Sequence, residues 1–214
     1  MIRANHYDGA FEDYLRRVRI PHVSVDEARR ALLGDASLKS MDFIVSPPGA
    51  DQNLLVDIKG RKFPSGGATR GETGGQTSGK TGGTCWENWV TEDDITSLLK
   101  WQEVFGPGFR SLLVFAYDVL HPRYHARFPE LHAWRGRHYA YFGVWVDEYA
   151  VEMRERSASW QTRTLPRKIF RELSAPIRQF LNPGNPATVH TAGTRAAPTN
   201  LFSESLQANE SIPF

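Results

Sequence analysis

Met41-Asp42-Phe43-Ile44-Val45-Ser46 and Asn53-Leu54-Leu55-Val56-Asp57-Ile58-Lys59 flank a turn made of Pro47, Pro48, Gly49, Ala50, Asp51 and Gln52. Two apolar runs about such a break predict a β-hairpin. With Ser46 facing Asn53, Asp42 is set opposite Asp57. Lys59 points to the same face two residues on, because side chains alternate along a strand. The other face pairs Phe43 with Val56 and Val45 with Leu54, which makes a core surface. One face is expected to bury, and the other to gather two carboxylates and an amine. That is the set a metal-dependent phosphodiesterase needs.

Opposed side chains in an antiparallel pair have Cβ atoms roughly 5 Å apart. Two carboxylates at that distance repel by about 3 kcal/mol at an effective dielectric of about 20. A divalent cation removes that cost, and Mg²⁺ favours one or two carboxylates completed by phosphate and water. A D-x-K triplet alone reads first as an exposed ion pair. The opposed Asp42 and the apolar reverse face bring the metal reading level with it.

The chain has 214 residues and an apolar content of 40%, enough for one domain with its own core. A net charge of +2 permits a nucleic acid partner without demanding one. Cys85 is the only cysteine, so no internal disulfide can form and a reducing, cytoplasmic setting is expected. No apolar run is long enough to span a membrane, and the first residues lack the apolar stretch of a signal peptide. Residues 64–83 are mostly Gly, Thr and Ser and read as a mobile insertion. Residues 182–214 are poor in large apolar side chains and read as a disordered tail, leaving 1–181 as the domain.

Tyr7, Phe11, Tyr14, Leu15 and Val18 recur at helical spacing, so a helix is expected from about Asn5 until Pro21. A short strand over 22–25 and a helical turn over 26–33 follow, then the hairpin. Thr91 with Asp94 three residues on predicts a capping box. Ile95, Leu98, Leu99, Gln102 and Phe105 form the inner face of that helix, which Gly106-Pro107-Gly108 ends. Residues 111–117 read as a buried central strand and 139–146 as another. A last helix over 165–181 is expected to kink or split at Pro176. The expected class is α/β, a mixed sheet with a central hairpin flanked by helices.

This order, with Glu12 on the first helix, Asp42 on the second strand and Asp57-Ile58-Lys59 on the third, resembles the PD-(D/E)XK nuclease superfamily, a restriction-endonuclease-like fold that includes Holliday junction resolvases. The likeness spans residues 5–117. His6-Tyr7-Asp8-Gly9-Ala10-Phe11-Glu12 resembles the signature of the HYExAFE family of bacterial proteins, with Asp8 in place of the motif's Glu.

The superfamily resemblance implies a nuclease acting on DNA, as an endonuclease or exonuclease of repair or recombination, and, from the resolvases, a homodimer. It implies Mg²⁺ (or Mn²⁺) held by Asp42, Asp57 and the backbone carbonyl of Ile58, with Lys59 beside the attacking water. Glu12 becomes an outer ligand or the holder of a metal-bound water. His6 and Gln102 become supports. From the residues alone, Glu12 reads equally as a helix-face partner of Arg16, whereas Gln102 reads first as a polar residue making one buried hydrogen bond and His6 as a helix-start residue that caps or packs against Tyr7. Arg16, Arg17, Arg61, Lys62, Arg156, Trp160, Arg163 and Lys168 interleave charge with an aromatic, as a nucleic acid surface does.

Gly74-Gly75-Gln76-Thr77-Ser78-Gly79-Lys80-Thr81 matches the P-loop pattern, and 112–118 could pass for its partner strand. A P-loop needs a strand before it and a helix after it. Gly82-Gly83-Thr84 does not start a helix, which disfavours a nucleotide binder. The alternative kept is a non-catalytic nucleic-acid-binding module of the same fold.

Overall fold

Asn5 fixes the start of the first helix: its side chain accepts the Tyr7 N–H, which caps α1 (His6–Arg17). The expected stripe faces inward. Phe11 and Leu15 are fully buried, and the Phe11 ring meets Phe43 and Tyr141 edge to face. The computed structural model describes residues 5–25, 31–33, 36–65 and 86–182.

Strand β1 (His22–Ser24) follows, then a small antiparallel pair, β2 (Ala31–Leu33) with β3 (Ala36–Leu38). This corrects the helical turn expected at 31–33; the remainder, 26–30, lies outside the described residues. The hairpin comes next as β4 (Phe43–Val45) and β5 (Asn53–Phe63). Its register is the expected one, with Phe43 opposite Val56 and Val45 opposite Leu54.

Strand β6 (Val90–Thr91) leads into α2 (Glu92–Phe105) through the capping box of Thr91 and Asp94. Then come β7 (Phe109–Val119), a short 3-10 helix at Pro122–Arg127, β8 (His132–Trp134) and β9 (Arg137–Trp145). The expected last helix is split at Pro176, whose fixed φ and missing N–H break a helix. The chain runs as α3 (Val146–Glu152), β10 (Arg154–Ser157), β11 (Thr162–Thr164), α4 (Arg167–Leu173), β12 (Ala175–Pro176) and α5 (Arg178–Leu181).

The main sheet is mixed, in the order β1-β4-β5-β7-β9-β12, with β8 also paired to β9. β5 and β7 run parallel over their whole length, Asn53 opposite Phe109 through Phe63 opposite Val119. α2 lies on the crossover between them, as a parallel pair requires. A second sheet, β10-β11-β6, stands at the start of α2.

Helices cover both faces. On one face α1 packs with Phe43, Val45, Leu54, Val56 and Ile58. On the other, α2 packs Ile95 and Leu98 with Leu55 and Leu113. The acid-bearing face of the hairpin is therefore covered as well. Leu55 is buried there, and Ile44 packs against the same cluster. Phe105, expected inside, is exposed at the end of α2. Among the described residues no helix is long and apolar enough to cross a membrane.

Candidate functional site

Successive residues of β5 alternate between two cores. Leu54, Val56 and Ile58 enter the α1 side, and Leu55 enters the α2 side. The same period of two places Asp57, Lys59 and Arg61 on the α2 face.

The hairpin ladder stops at Phe43 opposite Val56. The Asp42 N–H donates to the Val56 carbonyl at 2.9 Å, one step off the register, as β4 leaves β5. Beyond that point the Ile58 N–H has no β4 residue across from it, and the Asp42 carboxylate accepts it instead. Asp42 is buried, so this bond satisfies a donor and an acceptor that would otherwise cost free energy. The expected pairing of Asp42 opposite Asp57 is therefore not part of the ladder, because Asp42 bonds to Val56 and Ile58 on either side of Asp57.

Lys59 is held between two acids. Its Nζ lies 2.6 Å from Asp57 Oδ2 and 3.1 Å from Asp94 Oδ2. Asp94 also accepts from Lys39 Nζ at 2.8 Å and from the Thr91 N–H at 2.8 Å. Burial alone would discharge the Lys59 ammonium, but Asp57 and Asp94 outweigh it and hold its pKa above the ordinary lysine value. Burial likewise works against the Asp94 carboxylate, but Lys59, Lys39 and Thr91 outweigh it and hold it well below the usual carboxylate range. Two acids and two ammoniums thus offset one another. The repulsion that called for a cation in the sequence is met in large part by Lys59 itself.

Asp94 and Lys39 belong to this network and the sequence reading did not place them there. The capping box was legible, but nothing local says that a cap residue also meets a strand some thirty-five residues earlier. Gln102 Oε1 accepts the Ser111 N–H at 2.7 Å and so joins α2 to β7. Glu12 lies on α1 and accepts from Arg16 one turn on, at 2.6 Å. His6 Nδ1 is 2.9 Å from the Tyr139 hydroxyl, and burial together with Arg137 lowers its pKa.

The basic residues are divided. Arg61 is buried, donating to the carbonyls of Gly60 and Trp89, with its guanidinium 4.0 Å from the Trp89 ring centre. Arg163 pairs with Glu92 at 3.1 Å. Arg17 pairs with Asp13 at 3.0 Å, and Lys168 lies 3.9 Å from Glu172. Lys62, Arg156 and Trp160 are exposed. The P-loop match at 74–81 lies outside the described residues, as do most of the expected insertion and the tail.

Among the described residues no group of three or more His, Cys, Asp or Glu side chains could hold a metal ion. Of the oxygens expected to hold an ion, the Asp42 carboxylate accepts the Ile58 N–H, the Asp57 carboxylate meets Lys59, and the third is the Ile58 carbonyl. The Ile58 N–H points to the β4 edge, and in an extended strand the carbonyl of the same residue points to the same edge. Carboxylate and carbonyl oxygens, in that number, suit Mg²⁺ completed by water and phosphate.

The sequence matches no protein-family model and no curated protein. In backbone path the chain is similar to a Holliday junction resolvase of the archaeal hyperthermophile Archaeoglobus fulgidus. The identity is 11%, the TM-score is 0.45, and the match covers 82% of this chain and 98% of the resolvase.

Proposed function

We propose that this chain is a Mg²⁺- or Mn²⁺-dependent nuclease that hydrolyses phosphodiester bonds in DNA. The observation that carries the reading is the hairpin register. It runs up to Phe43 opposite Val56, where the Asp42 carboxylate takes the Ile58 N–H and Lys59 sits on Asp57, which supports a shared site for the two acids. Asp42, Asp57 and the Ile58 carbonyl would hold the ion, which supplies Lewis acidity and an acidified water when bound.

The roles of the chain's own residues follow from their surroundings. Lys59, held between Asp57 and Asp94, carries the ammonium that would offset phosphate charge. Asp94 positions Lys59 from the first turn of α2. Only the superfamily resemblance offers Glu12 as an outer ligand: it pairs with Arg16 on α1, which packs on the sheet face opposite the one that carries Asp57 and Lys59. His6 and Gln102 would act as supports, through Tyr139 and β7. The exposed Lys62, Arg156 and Trp160, with Arg16, Arg17, Arg163 and Lys168, would meet the DNA. The signature from His6 to Glu12 also supports placing the chain in the HYExAFE family.

The test is cleavage of linear, branched and single-stranded DNA with Mg²⁺ or Mn²⁺. Wild type is expected to cut at least one of these. Asp57→Ala should keep its circular dichroism spectrum and lose cleavage. Failure to cut any of them, or an Asp57→Ala variant as active as wild type, overturns the reading.

A second reading, a non-catalytic nucleic-acid-binding module, is favoured by one observation: Lys59 and Lys39 already offset Asp57 and Asp94. It expects salt-sensitive DNA binding without turnover. It also expects no calorimetric signal for Mn²⁺ that depends on Asp42.

A further inference from the structure

β10 and β11 form a hairpin whose turn is Ala158-Ser159-Trp160-Gln161. Trp160 is 78% exposed, the most exposed large apolar side chain among the described residues. The turn that carries it is firmly tied. The Trp160 N–H donates to Ser157 Oγ at 3.4 Å, and the Gln161 N–H to the Ala158 carbonyl at 3.2 Å. Gln161 takes a φ of 45°, and its carbonyl accepts the Glu92 N–H at 2.9 Å. An indole on a turn braced against the neighbouring helix gains nothing from the fold by being there, since burial is where its free energy lies.

The hairpin is continuous with the candidate site. Thr162 pairs with Thr91, the cap of α2, and the Asp94 of that cap holds Lys59. On β5, Arg61 stands two residues past Lys59 on the same face. The Trp89 ring lies 4.0 Å from the Arg61 guanidinium and 4.9 Å from that of Arg156. Lys59, Arg61, Trp89 and Arg156 therefore form a stack of cations and one aromatic that leads from the acids to the hairpin. Arg154 and Arg156 are exposed on the hairpin, while Arg163 is matched by Glu92 and Glu155.

Exposed guanidinium groups and a projecting aromatic on one hairpin fit a ligand that offers both phosphates and open base faces. Intact duplex offers the phosphates, but its base faces are closed by stacking. Single strands, gaps and flaps leave them open. We infer that Trp160 stacks on an unpaired base of DNA while Arg156 and Arg154 contact the adjoining phosphates, so that the preferred substrate carries a single-stranded segment. This rests on the reading of the chain as a DNA-acting protein and narrows it to a substrate class.

The experiment is binding, so that it is decided apart from catalysis. Fluorescein-labelled single strand, intact duplex and gapped duplex are titrated by anisotropy in EDTA. Wild type is expected to bind the single-stranded and gapped DNAs more tightly than duplex. Trp160→Ala, checked for folding by circular dichroism, should weaken the first two by roughly five- to hundredfold and leave duplex within about twofold. Trp160→Phe should recover most of the loss. A 2-aminopurine placed in the gap should be quenched by wild type and not by Trp160→Ala. Equal binding of the single-stranded and gapped DNAs by wild type and Trp160→Ala overturns the inference, as does an equal loss on all three DNAs or no DNA binding at all. Absence of metal-dependent cleavage with these binding differences intact would overturn the nuclease reading alone.

Discussion

The ring of Tyr7 lies directly over the α-carbon of Gly60: a Cβ added there would stand 2.1 Å from Tyr7 Cδ2. Tyr7 opens α1, and Gly60 follows Lys59. The start of the first helix is thus seated on the strand that carries the candidate acids, and only a residue without a side chain permits so close an approach.

Gly60→Ala is therefore expected to destabilise the fold by about 1–3 kcal/mol through overpacking. For a chain of this size each kcal/mol lowers Tm by about 2–4 °C. Combining it with Tyr7→Ala should recover part of the loss, because the two positions share one contact. Thermal melts of the single and double variants check this. Additive losses would mean that the ring yields without strain.

Asp94 predicts the acid limb of stability. Its folded pKa is depressed, so its contribution is present above the unfolded value of about 3.9 and fades as the pH falls below it. Urea midpoints of wild type should drop between pH 5 and pH 3. Asp94→Asn should start lower by about 2 kcal/mol at pH 7 and show a shallower decline over that interval. Parallel pH curves for the two proteins would show that Asp94 carries none of this dependence.

Lys59→Met separates its two roles. The ammonium is held by Asp57 and Asp94, and any cation entering beside Asp57 meets its charge. Removing it should tighten Mn²⁺ binding by calorimetry and at the same time lower cleavage by at least about a hundredfold. The folded pKa of Lys59 is raised, so the stability it contributes is present below about 10.4 and is lost as the pH rises through the folded value. Wild type should weaken at high alkalinity more than Lys59→Met does.

His132 gives a separate signal near neutrality. Its Nε2 lies 3.0 Å from Asp13 Oδ2, yet burial outweighs that carboxylate and lowers its pKa. The folded state favours the neutral ring, so its contribution is present above about 6.5 and declines as the pH falls below that value. Denaturation curves from pH 7.5 to pH 5 should show a decline that is smaller in His132→Gln, with the remainder assigned to His6. If the variant declines as steeply as wild type, the term belongs elsewhere.

The sequence revealed what local periodicity controls. The Pro47-to-Gln52 turn and the alternation on either side gave the pairs from Phe43–Val56 to Val45–Leu54 but not Asp42 opposite Asp57, where the ladder has ended, and Thr91 with Asp94 gave the start of α2. It missed β2 and β3, which are too short to show a period, and α3, which follows β9 with no breaker between them. Within the site, Asp57 and Lys59 were visible because they share a strand. Their attachment to Asp94 and Lys39 was not, because it is made through space across α2. Arg61 looked like surface charge beside Lys62. Yet Lys62 faces solvent, and Arg61, one residue earlier and on the other face, sits under Trp89.

The parallel union of β5 with β7 has a kinetic consequence. The β4–β5 turn closes over a few residues, whereas Asn53 finds Phe109 only after the intervening chain has been gathered in. Entropy of that closure grows only logarithmically, by about 0.6 kcal/mol for each doubling of a flexible loop. The stretch between Ser65 and Trp86 can therefore lengthen or shorten from one sequence to another with little penalty in equilibrium stability. Contact order predicts that this long-range encounter limits folding speed, with the hairpin bearing Asp42 and Asp57 forming ahead of the strand that walls it in.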